Sequence, residues 1–183
     1  MSINPFLDYI YLEKKCSEHT LKAYRSDIEE YELFIEKQEG ESDLIGVSYG
    51  EIRTWIVDLI QKKNSTRTVN RKISVLRSYY KYLMKIGSLE VSPLKEHKAL
   101  KMASKVQLPF SVEEVNSVLN SEFFPDTYKG ELQKTILALF YYTGVRRSEL
   151  ISLTVSNVDL SKDLIKVLGK RKKERLIPLL PEM

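Results

Sequence analysis

Apolar side chains recur at steps of three and four from Phe6 to Leu83, and four amphipathic helices account for that spacing. The first is expected from about Asn4 to Lys15, with Phe6, Leu7, Ile10, Tyr11 and the stem of Lys14 facing inward. Ser17, with Glu18 and Thr20 behind it, is a good N-cap region for the second. Its stripe is Leu21, Tyr24, Ile28, Tyr31 and Ile35, and Gly40 stops it. Ser48 caps a third helix holding Ile52, Trp55, Ile56, Leu59 and Ile60. The fourth starts at Ser65 or Thr66, buries Val69, Ile73, Leu76, Tyr80 and Leu83, and ends at Gly87.

The period is lost after that. Residues 93–110, punctuated by Pro93 and Pro109, read as a basic linker between a helical domain (1–92) and a second domain (111–183). Ser111 and Glu114 form a capping-box pattern for a helix reaching Asn120. Another helix is expected from Pro125 or Asp126 to Tyr142, with its Ile136–Tyr142 run in a second core and Gly144 as its break. A short helix, Arg147 to Leu153, follows. Alternating apolar positions then predict two strands, Asp163–Leu168 and Glu174–Leu180, joined by a basic turn. The fold class is therefore mainly α, with a β-hairpin in the second domain.

Composition narrows the class. A 43% hydrophobic and 30% charged chain of 183 residues is that of a soluble globular protein. The Ile136–Tyr142 run falls far short of the roughly 20 apolar residues of a membrane span. The start, MSINPFLDYIYLEKK, lacks the basic, apolar and small-residue order of a secretion signal. With one cysteine (Cys16) and two histidines, an internal disulfide and a zinc site are both excluded. The expected setting is the cytoplasm, with no cofactor, no metal and no membrane partner.

Charge changes the picture more. The net charge of +4 hides a strong asymmetry: residues 1–61 carry six basic and thirteen acidic side chains, and residues 62–105 carry twelve basic against two acidic. Such a block suits a polyanion, unless acids elsewhere in the fold compensate it. On the fourth helix Arg67, Arg71, Ser74, Arg77, Ser78 and Lys81 form a stripe away from the apolar face, and no acid lies between Lys62 and Gly87. A helix with one basic face fits the DNA major groove, about 12 Å wide; an ordinary solvated face is the alternative.

Two segments carry candidate chemistry. In Thr143-Gly144-Val145-Arg146-Arg147-Ser148-Glu149-Leu150, the glycine turn sets Arg146 at a helix start, where free N–H groups and a guanidinium suit a phosphodiester. The competing reading is an ion pair from Arg146 to Glu149 on its own helix. The turn Gly169-Lys170-Arg171-Lys172-Lys173-Glu174-Arg175 either grips a phosphate or is a solvated hairpin tip.

Taken together, these segments resemble the tyrosine recombinases, the integrase family of Xer and phage type. TGVRRSEL resembles that family's T-G-hydrophobic-R-x-S-E-L box. Ser17, Thr20, Tyr24 and Asp27 are similar to its S-x-x-T-x-x-x-Y-x-x-D helix, and Ser65–Tyr82 to its S-x-x-T-x-N-R-x-I-S-x-L-R-x-x-Y-x-Y helix. The resemblance implies a four-helix SAM-like core-binding domain followed by part of an α+β catalytic domain. It implies double-stranded DNA as partner, read by Arg67, Asn70, Arg71, Arg77 and Lys81, with Thr20, Lys22 and Arg25 as weaker contacts. Arg146 would neutralise the scissile phosphate, Glu149 would orient Arg146, and Lys170 would protonate the leaving 5′-oxygen. Arg171 stands where the family has a second glycine, so Lys170 and Lys172 both remain candidates to face the phosphate, with Arg171 and Lys172 as DNA contacts. The resemblance also implies strand transfer through a 3′-phosphotyrosine, without metal or nucleotide, by a tetramer of protomers.

The family's His-x-x-Arg pair and nucleophilic tyrosine are expected after the hairpin, yet His19 and His97 precede Arg146, as do Tyr128, Tyr141 and Tyr142. The expectation is a fragment that binds DNA and does not cleave it. Two other readings stand beside it: a non-catalytic DNA-binding regulator or integrase decoy, and a helical protein-interaction module.

Overall fold

The computed structural model describes residues 3–40, 43–103, 106–120, 122–169 and 173–180. The chain divides into two compact units, Met1–Lys105 and Val106–Met183. The division falls inside the 93–110 stretch, and Leu94 is buried with the helical core while Leu100 packs against it.

The first unit is helical: α1 Asn4–Leu12, α2 Glu18–Glu39, α3 Tyr49–Gln61 and α4 Thr66–Lys85. Local chemistry sets these bounds. Ser17, Ser48 and Ser65 each take up the otherwise unpaired backbone N–H three residues on, and Ser48 with Glu51 completes a capping box. Gly40, at φ 75°, closes α2 in the left-handed conformation that glycine adopts without Cβ strain. The first helix stops at Leu12, short of the expected Lys15, because the chain turns at Lys15 (φ 50°) to reach the Ser17 cap.

The predicted stripes meet in one core, except on the first helix, where Phe6, Leu7 and Ile10 are buried but Tyr11, expected inward, is 51% exposed and Lys14 lies exposed past its end. Ile28, Tyr31, Ile35, Ile52, Trp55, Leu59, Val69, Leu76, Tyr80 and Leu83 are all buried. Tyr31 packs on Trp55 with ring centroids 4.8 Å apart, and its hydroxyl lies 3.4 Å from that of Tyr80, so each buried phenol has a polar partner. Burial pushes both phenols above their ordinary pKa, so both stay protonated. Ile60 is a correction: it is 49% exposed, because α3 turns only its Ile52, Trp55, Ile56 and Leu59 side inward.

A buried ion cluster ties α2 to α4. The Asp27 carboxylate, 4% exposed, accepts both terminal nitrogens of Arg71 and, at 3.1 Å, the Lys72 ammonium. Lys72, 8% exposed, also donates to Glu30 at 2.6 Å. The acid-free run of α4 is therefore partly compensated from α2, the alternative left open by its charge, while Arg71 of the outward stripe is engaged on its inner edge.

The second unit holds α5 Val112–Leu119, α6 Tyr128–Thr143, α7 Arg147–Ile151, a 3-10 turn Val155–Asn157, and strands β1 Val158–Asp159, β2 Leu164–Leu168 and β3 Glu174–Pro178. The strands form one antiparallel sheet in the order β1-β2-β3, with Ile165 opposite Ile177 and Val167 opposite Arg175. β1 is an addition to the expected hairpin. Ser111 and Glu114 make their capping box, and Thr127 caps α6. A Cβ at Gly130 would stand 1.9 Å from the Pro125 carbonyl oxygen, so only glycine lets α6 start against that turn.

The core of this unit is small: Val145, Ile165, Val167 and Ile177, with Leu139 and Phe140 packed against it. Residues 136–140 and 142 are half-buried and Tyr141 is exposed, which corrects the expectation that the run is a core helix.

Removing the Asp27 carboxylate should leave the buried Lys72 ammonium with Glu30 as its one remaining acid and free Arg71 from its fork. Asp27→Ala is expected to cost the helical unit about 3–5 kcal/mol in denaturant unfolding, and Asp27→Ala with Lys72→Met should recover most of it. A loss below about 1 kcal/mol in the single variant would show that the cluster contributes little.

Candidate phosphate site and nucleic-acid interface

The TGVRRSEL segment forms a tight corner. Gly144 caps α6 at φ 59°, donating its N–H to the Phe140 carbonyl oxygen, and the Thr143 hydroxyl oxygen accepts from the Val145 N–H. Arg146 is extended and precedes α7. Its backbone N–H donates to Glu149 Oε2 at 2.8 Å, and its Nη1 donates to Oε1 at 2.9 Å. The carboxylate of Glu149, not an outside anion, therefore occupies the helix start.

Glu149 is 2% exposed and has a second cation. Arg175 on β3 donates Nη1 to Oε1 at 3.1 Å and Nη2 to Oε2 at 2.9 Å, a two-pronged clamp. The Arg146 backbone N–H, then its side chain, then the charge of Arg175 hold the Glu149 carboxyl below its ordinary pKa. Two cations on one carboxylate leave the group net positive. The Arg146 side chain is 64% exposed, so its remaining N–H groups face solvent. The predicted pairing of Arg146 with Glu149 is present, and its consequence is a positioned guanidinium rather than a cancelled one.

Arg175 is absent from the expected site residues. Its signal lies in the strand period: Arg175 and Ile177 share one face of β3, and a cation on the inward face needs a buried acid. Lys170, Arg171 and Lys172 lie outside the described residues. Gly169 is described, and a Cβ there would come 3.4 Å from Glu149 Oε1 and 3.3 Å from the Lys173 carbonyl oxygen. The hairpin thus rejoins its second strand beside the carboxylate that pairs with Arg146.

On α4, Arg67 and Lys81 are exposed and have no ion pair among the described residues. Arg71, 49% exposed, is forked onto Asp27 and presents its outer edge. Asn70 is half-buried, and its amide pairs with the backbone of Leu100. Arg77 donates to the His97 carbonyl oxygen at 3.2 Å. The Ser74 and Ser78 hydroxyls donate to carbonyls of their own helix. On α2, Thr20 is spent on the Ser17 cap, Arg25 lies on Asn4 and Glu29, and Lys22 is exposed without a partner among the described residues. The stripe predicted as one set therefore sorts into outward cations and residues already engaged by the fold. Among the described residues no group of three His, Cys, Asp or Glu side chains comes together as a metal site.

Comparison with known proteins follows the same two-part division. Residues 3–87 match the model of the phage integrase N-terminal SAM-like domain, and residues 111–183 match the phage integrase family. Tyrosine recombinase XerC of Thermodesulfovibrio yellowstonii is 36% identical over 177 residues, covering 97% of this chain and 57% of its own length. The chain thus spans little more than half the length of that relative. In fold, the Tn1549 transposon integrase in complex with circular intermediate DNA superposes at a TM-score of 0.72 and 18% identity, over 100% of this chain and 62% of that one. A lambda integrase tetramer bound to a Holliday junction gives 0.69 and 17%, over 97% of this chain and 51% of that one.

A carboxyl that holds its proton less tightly when folded stabilises the fold above its ordinary value of 4.5, and that contribution disappears as pH falls through the lowered value. Glu149→Gln should therefore lower the melting temperature of the second unit at pH 7 and shrink its further drop on acidification below pH 4.5. Parallel acid limbs in the variant and the parent, followed by circular dichroism melts, would remove Glu149 as the cause.

Proposed function

The chain belongs to the phage integrase family of tyrosine recombinases, and we propose that it is the DNA-holding and phosphate-orienting part of a site-specific recombinase. The observation that carries this reading is the Arg146–Glu149–Arg175 cluster, which fixes one guanidinium at a sharp corner while leaving most of it open.

In that role Arg146 faces a non-bridging oxygen of the scissile phosphate. Its charge counts most as the pentacoordinate transition state gathers negative charge, and a guanidinium already held in place loses no reorganisation energy at that moment. Glu149 and Arg175 orient Arg146 and transfer no proton. Lys170, or Lys172 beside it, supplies the proton to the departing 5′-oxygen, with Arg171 on the DNA backbone. The α4 surface of Arg67, Arg71 and Lys81, with Lys22 on α2, lies along duplex DNA. The parent reaction is strand transfer through a 3′-phosphotyrosine, run by a tetramer of protomers in the cytoplasm without metal or nucleotide.

A second reading, a helical protein-interaction module, draws on one observation: Arg71 and Lys72 are partly neutralised by Asp27 and Glu30. Reversing the exposed α4 cations Arg67 and Lys81 separates the readings without touching the buried cluster. Arg67→Glu with Lys81→Glu should weaken binding of a mixed-sequence duplex at low salt at least tenfold and flatten the log–log salt dependence by about two. Equal affinity in parent and variant would favour the module.

A further inference from the structure

The segment that follows α4 is fastened to that helix by a ladder of polar contacts. Asn70 uses both ends of its amide: Nδ2 donates to the Leu100 carbonyl oxygen at 2.9 Å, and the Leu100 N–H donates to Oδ1 at 3.0 Å. Two turns further along α4, Arg77 Nη2 donates to the His97 carbonyl oxygen at 3.2 Å. Tyr49 on α3 closes the same corner, its hydroxyl 3.2 Å from His97 Nδ1.

These contacts fix a direction and a register. Residue 97 meets position 77 and residue 100 meets position 70, so the segment runs antiparallel to α4. Seven helical residues rise about 10.5 Å, and three extended residues span about 10 Å. The two lengths agree, so the spacing of the two fastenings fits an extended run of chain between residues 97 and 100. Leu94, buried in the core, and Leu100, packed against it, anchor the apolar side. Lys95, Lys98 and Lys101 are exposed and have no ion pair among the described residues; Glu96 is the acid of the strap.

We propose that this strap is half of the DNA-binding surface: Lys95, Lys98 and Lys101 form a phosphate-contacting rail alongside the α4 cations Arg67 and Lys81, and Asn70 is the residue that holds the rail in register. The inference rests on the reading of the chain as a DNA-binding part of a recombinase, and it reassigns Asn70 and Arg77 from DNA contacts to fastenings. A side-chain amide that mimics a strand partner fits the task. It pins the backbone through two hydrogen bonds and leaves the neighbouring lysine stems free to reach outward. Loosely tethered lysines would lose side-chain and backbone freedom on meeting a phosphate; a fastened strap has already lost the backbone part.

Binding of a fluorescein-labelled mixed-sequence duplex by the 183-residue chain, followed by anisotropy between about 50 and 200 mM salt, tests this. Lys95→Gln, Lys98→Gln and Lys101→Gln together should flatten the log–log salt slope by about two to three, at roughly 0.9 for each phosphate that is no longer neutralised. Asn70→Ala keeps every charge; it should weaken binding about fivefold or more and, in the free protein, speed amide hydrogen exchange at Leu100. A direct DNA contact by Asn70 would not alter exchange in the absence of DNA. If Asn70→Ala fails to fold, the exposed triple variant still decides. An unchanged salt slope in the triple variant, or unchanged Leu100 exchange in a folded Asn70→Ala, overturns the strap while leaving the DNA-binding reading intact. No binding by the parent chain overturns that reading itself.

Discussion

A carboxylate removed from water must be surrounded by donors, and this chain places two of them where they decide the arrangement of each unit. Asp27 gathers Arg71 and Lys72 from a helix 44 and 45 positions on, and Glu149 gathers Arg146 from its own corner and Arg175 from 26 positions on. In both cases one acid serves two cations, and one of the two remains open to solvent. The acid is thus a fixed post on which a cation is mounted. An unpaired buried carboxylate is too costly to persist, so once it is buried the geometry of its cations follows.

That logic also explains why charge counting alone misjudges the α4 face. The run from Lys62 to Gly87 is acid-free in sequence, yet its charge is partly neutralised in space by Asp27 and Glu30. Position along the chain carries no information about an ion pair across 44 residues. Periodicity does carry information about faces: the helical stripes, the serine caps and the Gly40 stop of the first unit are legible because each is written within a few residues. The Arg146–Glu149 pair is legible for the same reason, being three residues long. Arg175 is not, because its partner lies in another element and only the inward phase of β3 points to it.

The second unit is harder to read for a different physical reason. The Ile136–Tyr142 run is apolar enough for a core helix, and its composition predicts one. Among the described residues the buried partners are few, and the run ends half-covered. Hydrophobicity states what a segment would gain by burial; it does not state how much surface is available to bury it. β1 escapes for want of length, since two residues show no alternation.

Strength of fastening and freedom of charge pull against each other at the strap. A hydrophobic anchor at every second residue between Leu94 and Leu100 would hold it more tightly, but it would take the places of Glu96 and Lys98. The chain instead buries Leu94 and packs Leu100 at the ends and uses backbone hydrogen bonds at His97 and Leu100, which consume no strap side chain beyond the half-buried His97 ring. His97 gives up charge for this place: burial, then the neighbouring Arg77 charge, lowers its pKa, so the ring resists protonation in the folded strap. A histidine that resists protonation at the corner and three exposed lysines along the edge are the two sides of one allocation, with polar backbone contacts doing the holding so that the cations stay available to an anion.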